Sequence, residues 1–172
     1  TDNDLFLPVA TAVYAVEPSA PAAYAIGIGF AKASQLDSSF TYMEDAVSRC
    51  GDCADQVTYL LKTGQIASAM GRTGTAKRYA QQVLGVDANN GDAYMLIGDA
   101  IAGSSNACND GALGARSVYW VASDYYAKAK RMNADLAELA GKKIANMAKQ
   151  FPTVDDIFTY GKQAGGSFTV PN

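Results

Sequence analysis

Three glycines, Gly27, Gly64 and Gly98, each interrupt an apolar stretch of helical spacing. At such places glycine costs about 1 kcal/mol relative to alanine. They stand 37 and 34 residues apart. Each is followed, after a turn, by a second helix-like stretch with a small apolar residue at a matching place. A costly residue that recurs at a nearly constant interval marks a helical hairpin whose two helices cross too closely for a side chain. This feature points to one architecture and removes most enzyme readings.

The second repeat is the clearest. Val57 to Met70 reads as a first helix, with Leu60, Leu61, Gly64 and Ala67 at helical spacing. Gly71 breaks it, Thr73 or Thr75 is placed to cap the next helix, and Ala76, Tyr79, Ala80, Val83 and Leu84 form the apolar stripe of that helix. Gly85 ends the stripe, and Asp87 to Asn90 makes the turn to the next unit. The third repeat restarts at Gly91, with Tyr94, Ile97, Gly98 and Ile101 in its first helix. Its second helix is expected at Val118 to Met132, displaced by a loop-like insertion of 12 residues around Gly103 to Gly114. The first repeat spans Pro21 to Arg49, with Asp37 or Ser38 as the cap of its second helix. Leu5 to Val16, followed by Glu17-Pro18, reads as a lone second helix whose partner would lie upstream. Ala134 to Gln150 reads as a closing amphipathic helix with Leu136, Leu139, Ala140, Lys143, Ile144 and Met147 as its buried stripe. Asp155 to Tyr160 adds a short helix, and Ser167 to Val170 looks extended.

These positions resemble the tetratricopeptide (TPR) family. Gly64 stands at the family's close crossing, Ala76 at its early alanine in the second helix, and Asp87-Ala88-Asn89-Asn90 at an exit where the family often has Asp-Pro-Asn-Asn. Residues 90–170 are also similar to the C-terminal region of uncharacterised TPR proteins of Bacteroidetes-type bacteria. The resemblance implies an all-α fold, a right-handed α-α superhelix of about three hairpins, with a half-repeat at the start and a capping helix at the end. The array would cover residues 1–151 and a C-terminal tail residues 152–172. It further implies a bacterial protein, periplasmic or exported, without a known activity.

In such a stack the first helices line a concave face. The family's groove positions fall on Tyr24, Ile28, Ala31 and Lys32 in the first repeat. In the second they fall on Thr58, Leu61, Gln65, Ser68 and Ala69, and in the third on Asp92, Met95, Asp99 and Ala102. One lysine and two aspartates do not make a clamp for chaperone carboxylates. A mixed apolar and mildly acidic groove suits an extended or helical peptide with basic or apolar side chains. The expected partner is therefore a protein or peptide segment, bound without catalysis. Two alternatives are a structural C-terminal end of a longer array with its function upstream, and a redox module at Cys50/Cys53. Homodimerisation through the open N-terminal helix is a further option.

Composition fits this reading. The chain has 172 residues, 49% apolar and 18% charged, with a net charge of -3. That is a folding chain with a real core, and its charge argues against non-specific nucleic-acid binding. No apolar run reaches the roughly 20 residues of a membrane span. Residues 1–115 carry 6 basic and 12 acidic side chains, and residues 116–172 carry 8 and 5.

There is no histidine, which removes Ser-His and Cys-His pairs and imidazole metal sites. No serine is followed by lysine three residues on. Gly27-Ile-Gly29 lacks the third glycine and the strand of a dinucleotide loop. Glu44-Asp45 and Asp155-Asp156 are neighbours that point about 100° apart on a helix and do not converge. No cofactor and no metal are expected. Cys50-Gly-Asp-Cys53 has redox spacing without a βαβ context and reads as a local disulfide staple or two inert turn cysteines. Cys108 is expected at the opposite end of the helices. Core packing is favoured for the aromatic run over a ligand platform: Tyr126 is expected in the core, Tyr119 and Tyr125 against the closing helix, and Trp120 partly exposed near the inserted loop.

Overall fold

The computed structural model describes residues 6–105, 112–159 and 161. Cys108, much of the insertion and the extended segment at 167–170 lie outside the described residues. All regular structure among those described is helical. The chain divides into two compact units, Thr1–Asp87 and Ala88–Asn172.

The first unit holds α1 (Phe6–Val16), α2 (Ala20–Lys32), α3 (Leu36–Cys50), α4 (Gln56–Ala69) and α5 (Thr73–Val86), each packed on the next. The second holds α6 (Gly91–Gly103), α7 (Ala112–Met132), a single 3-10 turn (Ala134–Leu136), α8 (Ala137–Ala148) and α9 (Val154–Thr159). There α6 and α8 both pack on α7.

One burial frame recurs in the hairpins α2–α3, α4–α5 and α6–α7. In the first helices the buried sets are Ala23/Ile26/Gly27, Leu60/Thr63/Gly64 and Tyr94/Ile97/Gly98. In the second helices they are Ser39/Met43/Ala46, Ala76/Ala80/Val83 and Ala122/Tyr126/Ala129, every one at most 1% exposed. Steps of three and four residues keep each set on one helix face. Two of the glycines show what their missing side chains make room for. A Cβ at Gly27 would lie 3.0 Å from the end of Met43, and one at Gly98 would lie 2.5 Å from the ring of Tyr126. The Gly27 carbonyl also accepts a hydrogen bond from the buried Ser39 hydroxyl at 2.8 Å.

The period reappears as contacts between successive hairpins of the first unit. Arg49 donates to the Tyr14 hydroxyl, Arg72 to Asp37, and Tyr79 to Glu44, all across 35 residues of sequence.

The turns inside the first two hairpins share one construction. Ser34 (φ 59°) and Gly71 (φ 73°) occupy the left-handed region. The following amides, of Gln35 and Arg72, reach back to the carbonyls of Phe30 and Ala67 at 2.9 Å. This closes the preceding helix and redirects the chain at once. The next helix therefore starts earlier than capping residues suggest. Gln35 and Arg72 flank α3 and α5 without a side-chain cap. Asp37, Ser38, Thr73 and Thr75 lie inside the helices and do not cap them.

The second unit departs further from expectation. Helix α7 begins at Ala112, so the end of the insertion extends the helix. The closing helix runs from Ala134 to Ala148, but its first turn is 3-10. The Asn133 side chain accepts from the Asp135 amide at 3.0 Å, which forms the 3-10 turn before α8. Only Ala140 of its expected stripe is buried, and Leu139 is 50% exposed. A helix packed mainly on α7 needs one small residue at the approach, and its larger apolar side chains fall to the flanks. Asp156 forms a reciprocal capping box: it accepts from the Thr153 amide at 2.8 Å while its own amide donates to the Thr153 hydroxyl at 3.2 Å. Arg116 of α7 binds the same carboxylate at 2.8 Å and ties α9 to α7. These hydrogen bonds, led by the Thr153 amide, hold the Asp156 carboxyl below its ordinary value.

Candidate functional site

The surface positions that the repeat frame brings together lie on α2 and α4 of the first unit. Tyr24 and Ile28 are half-buried one turn apart on α2, and Lys32 ends that helix exposed to solvent. On α4, Leu61 and Ser68 are half-buried and Gln65 is exposed. A stack between Tyr24 and Tyr59 joins the two helices, with ring centroids 4.8 Å apart. Tyr59 is 4% exposed. Burial pushes its hydroxyl above the ordinary value, and the nearby Asp55 carboxylate adds to this. It thus remains a neutral aromatic floor beside Tyr24. Its place follows from the period, since 35 residues separate it from Tyr24, yet no single-residue signal marked it. The accessible stripe is aliphatic and aromatic, with one cation, one amide and the hydroxyls of Tyr24 and Ser68. It can hold a short apolar segment and orient it with a few polar contacts.

Two groove candidates of the second unit are placed differently. Met95 is 6% exposed and offers no surface to a partner. Helix α6 is buried at Gly91, Ala93 through Gly98, and Ala100, as expected for a helix that is apolar nearly all round. Asp99 is half-buried, and its carboxylate is already engaged. The same oxygen accepts from the Tyr126 hydroxyl at 2.8 Å and from the Lys143 ammonium at 2.6 Å. Lys143 also lies 5.5 Å from the centre of the Tyr126 ring. Burial first, and then the bond to Asp99, raise the Tyr126 hydroxyl far above its ordinary range. This cluster fastens α6, α7 and α8 together. The sequence signal was a lysine within the apolar stripe of the closing helix, which needed an acidic partner on a neighbouring helix.

Cys50 and Cys53 form a disulfide, with Cα atoms 5.1 Å apart. It spans the turn from α3 to α4, where Gly51 takes φ 54°. The Cys53 amide bonds the Cys50 carbonyl at 3.0 Å. A four-residue loop closed this way contributes about 2 kcal/mol on chain-entropy grounds. Cys50 belongs to a buried cluster with Ala23, Ala46 and Tyr59, against which Tyr24, Val47 and Cys53 pack. Cys50 is the last residue of α3 and only 9% exposed.

The aromatic run of α7 is part of the packing. Tyr126 is 1% exposed, Tyr125 lies against Tyr94 at 6.4 Å, and Trp120 meets Phe151 edge-on at 6.1 Å. Among the described residues, no three or more histidine, cysteine or acidic side chains group as a metal site, and no helix is long and apolar enough to cross a membrane. No protein-family model matches the chain, and no curated protein matches it.

Proposed function

We propose that this chain is a TPR-type helical-repeat scaffold that binds a peptide or protein segment on the face formed by α2 and α4. The observation that carries this reading is the recurring burial frame. A glycine in each first helix and a triad in each second helix repeat in three hairpins. Contacts across 35 residues link successive hairpins of the first unit. Stacked hairpins of this kind leave one row of first-helix residues uncovered. Here that row contains Tyr24, Ile28, Lys32, Leu61, Gln65 and Ser68. Its aliphatic and aromatic character suits apolar side chains of a bound segment. Binding without catalysis fits a chain that lacks histidine and whose half-buried Asp99 is held by two internal donors. The Cys50–Cys53 bridge suits an oxidising, extracytoplasmic compartment.

Selection of a displayed random-peptide library on the immobilised chain tests the proposal. Enriched peptides should share an apolar core motif. They should lose binding to Leu61→Asp and to Tyr24→Ala, and keep it with Lys142→Ala, an exposed position of the second unit. Failure to enrich any peptide, or enrichment indifferent to Leu61 and Tyr24, would overturn it.

A further inference from the structure

The turn that joins α3 to α4 is short and covalently tied. Cys50 is the last residue of α3, and five residues, 51–55, separate it from Gln56, the first of α4. Asp55 flanks α4 without a side-chain cap. Two backbone bonds close the turn, from the Cys53 amide to the Cys50 carbonyl at 3.0 Å and from the Gln56 amide to the Cys53 carbonyl at 3.1 Å. A Cβ at Gly51 would meet nothing within 4 Å, so the turn has room to move on that side. Across it runs the Cys50–Cys53 disulfide.

The two sulfur-bearing residues differ in access, and both lie beside the candidate surface. Cys50 is 9% exposed and shares a buried cluster with Ala23, Ala46 and Tyr59. Cys53 is half-buried and packs against that cluster. Tyr59 stands in the first turn of α4, where its amide bonds the Asp55 carbonyl at 3.0 Å. Tyr24 packs against the same cluster and stacks on Tyr59 at 4.8 Å. The path of the tied turn and the start of α4 therefore decide where Tyr59 supports Tyr24.

We propose that the Cys50–Cys53 disulfide is a redox switch of the α2/α4 face. Bridged, it holds the first turn of α4 with Tyr59 beneath Tyr24. Opened by a dithiol reductant, it frees that turn and weakens the hold on a bound segment. This switch acts on the binding face proposed above and rests on that reading, but its structural half is measurable without a ligand. The exchange begins at Cys53, the more accessible residue. A reductant thiolate attacks the Cys53 sulfur, the bond between the two cysteines breaks, and Cys50 leaves as a thiolate that takes up a proton. The second thiol of the reductant, deprotonated, attacks its own sulfur in the mixed disulfide. The reductant departs with an internal disulfide, and Cys53 leaves as a thiolate and is protonated. Two electrons and two protons pass from the dithiol to the bridge. Cys50 is buried, so the movement that follows falls on the turn and on the start of α4.

The test treats the full chain with dithiothreitol and follows the opening by a thiol count, which should rise by two. Amide hydrogen exchange is compared in the two states. Exchange in residues 51–61 should quicken by about tenfold, within the roughly thirtyfold that closing so short a loop contributes, while α6 in the second unit stays unchanged. A peptide selected on the bridged chain should bind the reduced chain about tenfold more weakly. Cys50→Ser/Cys53→Ser should match the reduced chain without reductant and ignore its addition, which removes Cys108 as the cause. Should the serines disturb the far-ultraviolet dichroism, the reduced natural chain supplies the comparison by itself. A bridge that the dithiol does not open in the folded chain overturns the inference. So does an opened bridge with unchanged exchange at 51–61, or equal peptide affinity in the two states. If no peptide is enriched on the bridged chain, the proposed function fails while quickened exchange at 51–61 still upholds the switch, so the two failures are distinct.

Discussion

The two measured glycine crossings should respond oppositely to one added methyl group. At Gly98 a Cβ would lie 2.5 Å and 2.8 Å from two ring atoms of Tyr126, where ordinary carbon contacts need about 3.5–4.0 Å. The ring must retreat by about 1 Å, and it is not free to do so. Its hydroxyl is held by Asp99 at 2.8 Å, Asp99 is held by Lys143 at 2.6 Å, and the residue is 1% exposed. Overpacking of a rigid group costs about 1–3 kcal/mol, and loosening the charged hydrogen bond adds about 1 kcal/mol. Replacing a helical glycine with alanine returns about 1 kcal/mol. Gly98→Ala should therefore destabilise the second unit by about 1–3 kcal/mol, or about 4–8 °C in Tm for each kcal/mol. At Gly27 the new Cβ would meet the Met43 side chain at 3.0–3.3 Å. A thioether chain with three rotatable bonds can yield these few tenths of an ångström. The helix-propensity gain then offsets the contact, and Gly27→Ala should be neutral or stabilising by about 0.5 kcal/mol. Urea unfolding followed by Trp120, which lies on α7, reports the second unit, while far-ultraviolet dichroism reports both. A double-mutant cycle sharpens the test. In a Tyr126→Leu background the cost of Gly98→Ala should disappear. Equal costs at Gly98 and Gly27, or an unchanged cost at Gly98 without the tyrosine ring, would refute the steric argument.

Ser34 and Gly71 hold equivalent turn positions, but only one is glycine. Ser34→Gly should stabilise by about 0.5–1 kcal/mol, the left-handed strain relieved less the added chain entropy; Gly71→Ala should destabilise by about 1 kcal/mol, both read by denaturant midpoint. The Tyr79 hydroxyl is pushed up to about 12, first by burial and then by its bond to Glu44. Its folded value lies above the ordinary value of 10, so the folded state holds the proton more tightly. That stabilisation is complete below about pH 10 and fades between about pH 10 and 12. Because Glu44 is exposed, solvent screening limits the effect to about 1–2 kcal/mol. The stability difference between wild type and Tyr79→Phe, followed against pH, should narrow across that window, and a constant difference would contradict the assignment.

How much of this was legible in the sequence differs by kind of information. Helix positions followed from local pattern. The expected helix from Val57 to Met70 and the observed α4 at Gln56–Ala69 differ by one residue at each end, since periodicity and a breaking glycine both act locally. Helix starts were less legible. A cap residue is recognisable by type, but whether it caps depends on how the previous helix closes, and Ser34 in the left-handed region gave no outward sign. The candidate surface was legible only where the frame leaves a helix half uncovered. Tyr24, Ile28, Leu61, Gln65 and Ser68 remain accessible because α2 and α4 bury one stripe each. Met95 and Asp99 sit on a helix buried on most sides, so the same rule selected residues already in use.

The Asp99 cluster shows how a groove position comes to be engaged within the fold. A spacing rule transfers a position and not its surroundings. In the third hairpin the position opposite glycine holds a tyrosine, where the first has methionine. A buried tyrosine needs a partner for its hydroxyl, and the nearest acceptor on the facing helix is the carboxylate one residue after the glycine. That carboxylate, half-buried, in turn needs a cation, and Lys143 of α8 supplies it from beyond the hairpin. One enlarged core residue thus commits a would-be binding residue of α6 and a side chain of α8 to internal work. The same dependence makes Lys143→Met a means of separating the two roles. If Asp99 serves packing, removing the cation should loosen α8 and leave peptide recognition by Tyr24 and Leu61 unchanged.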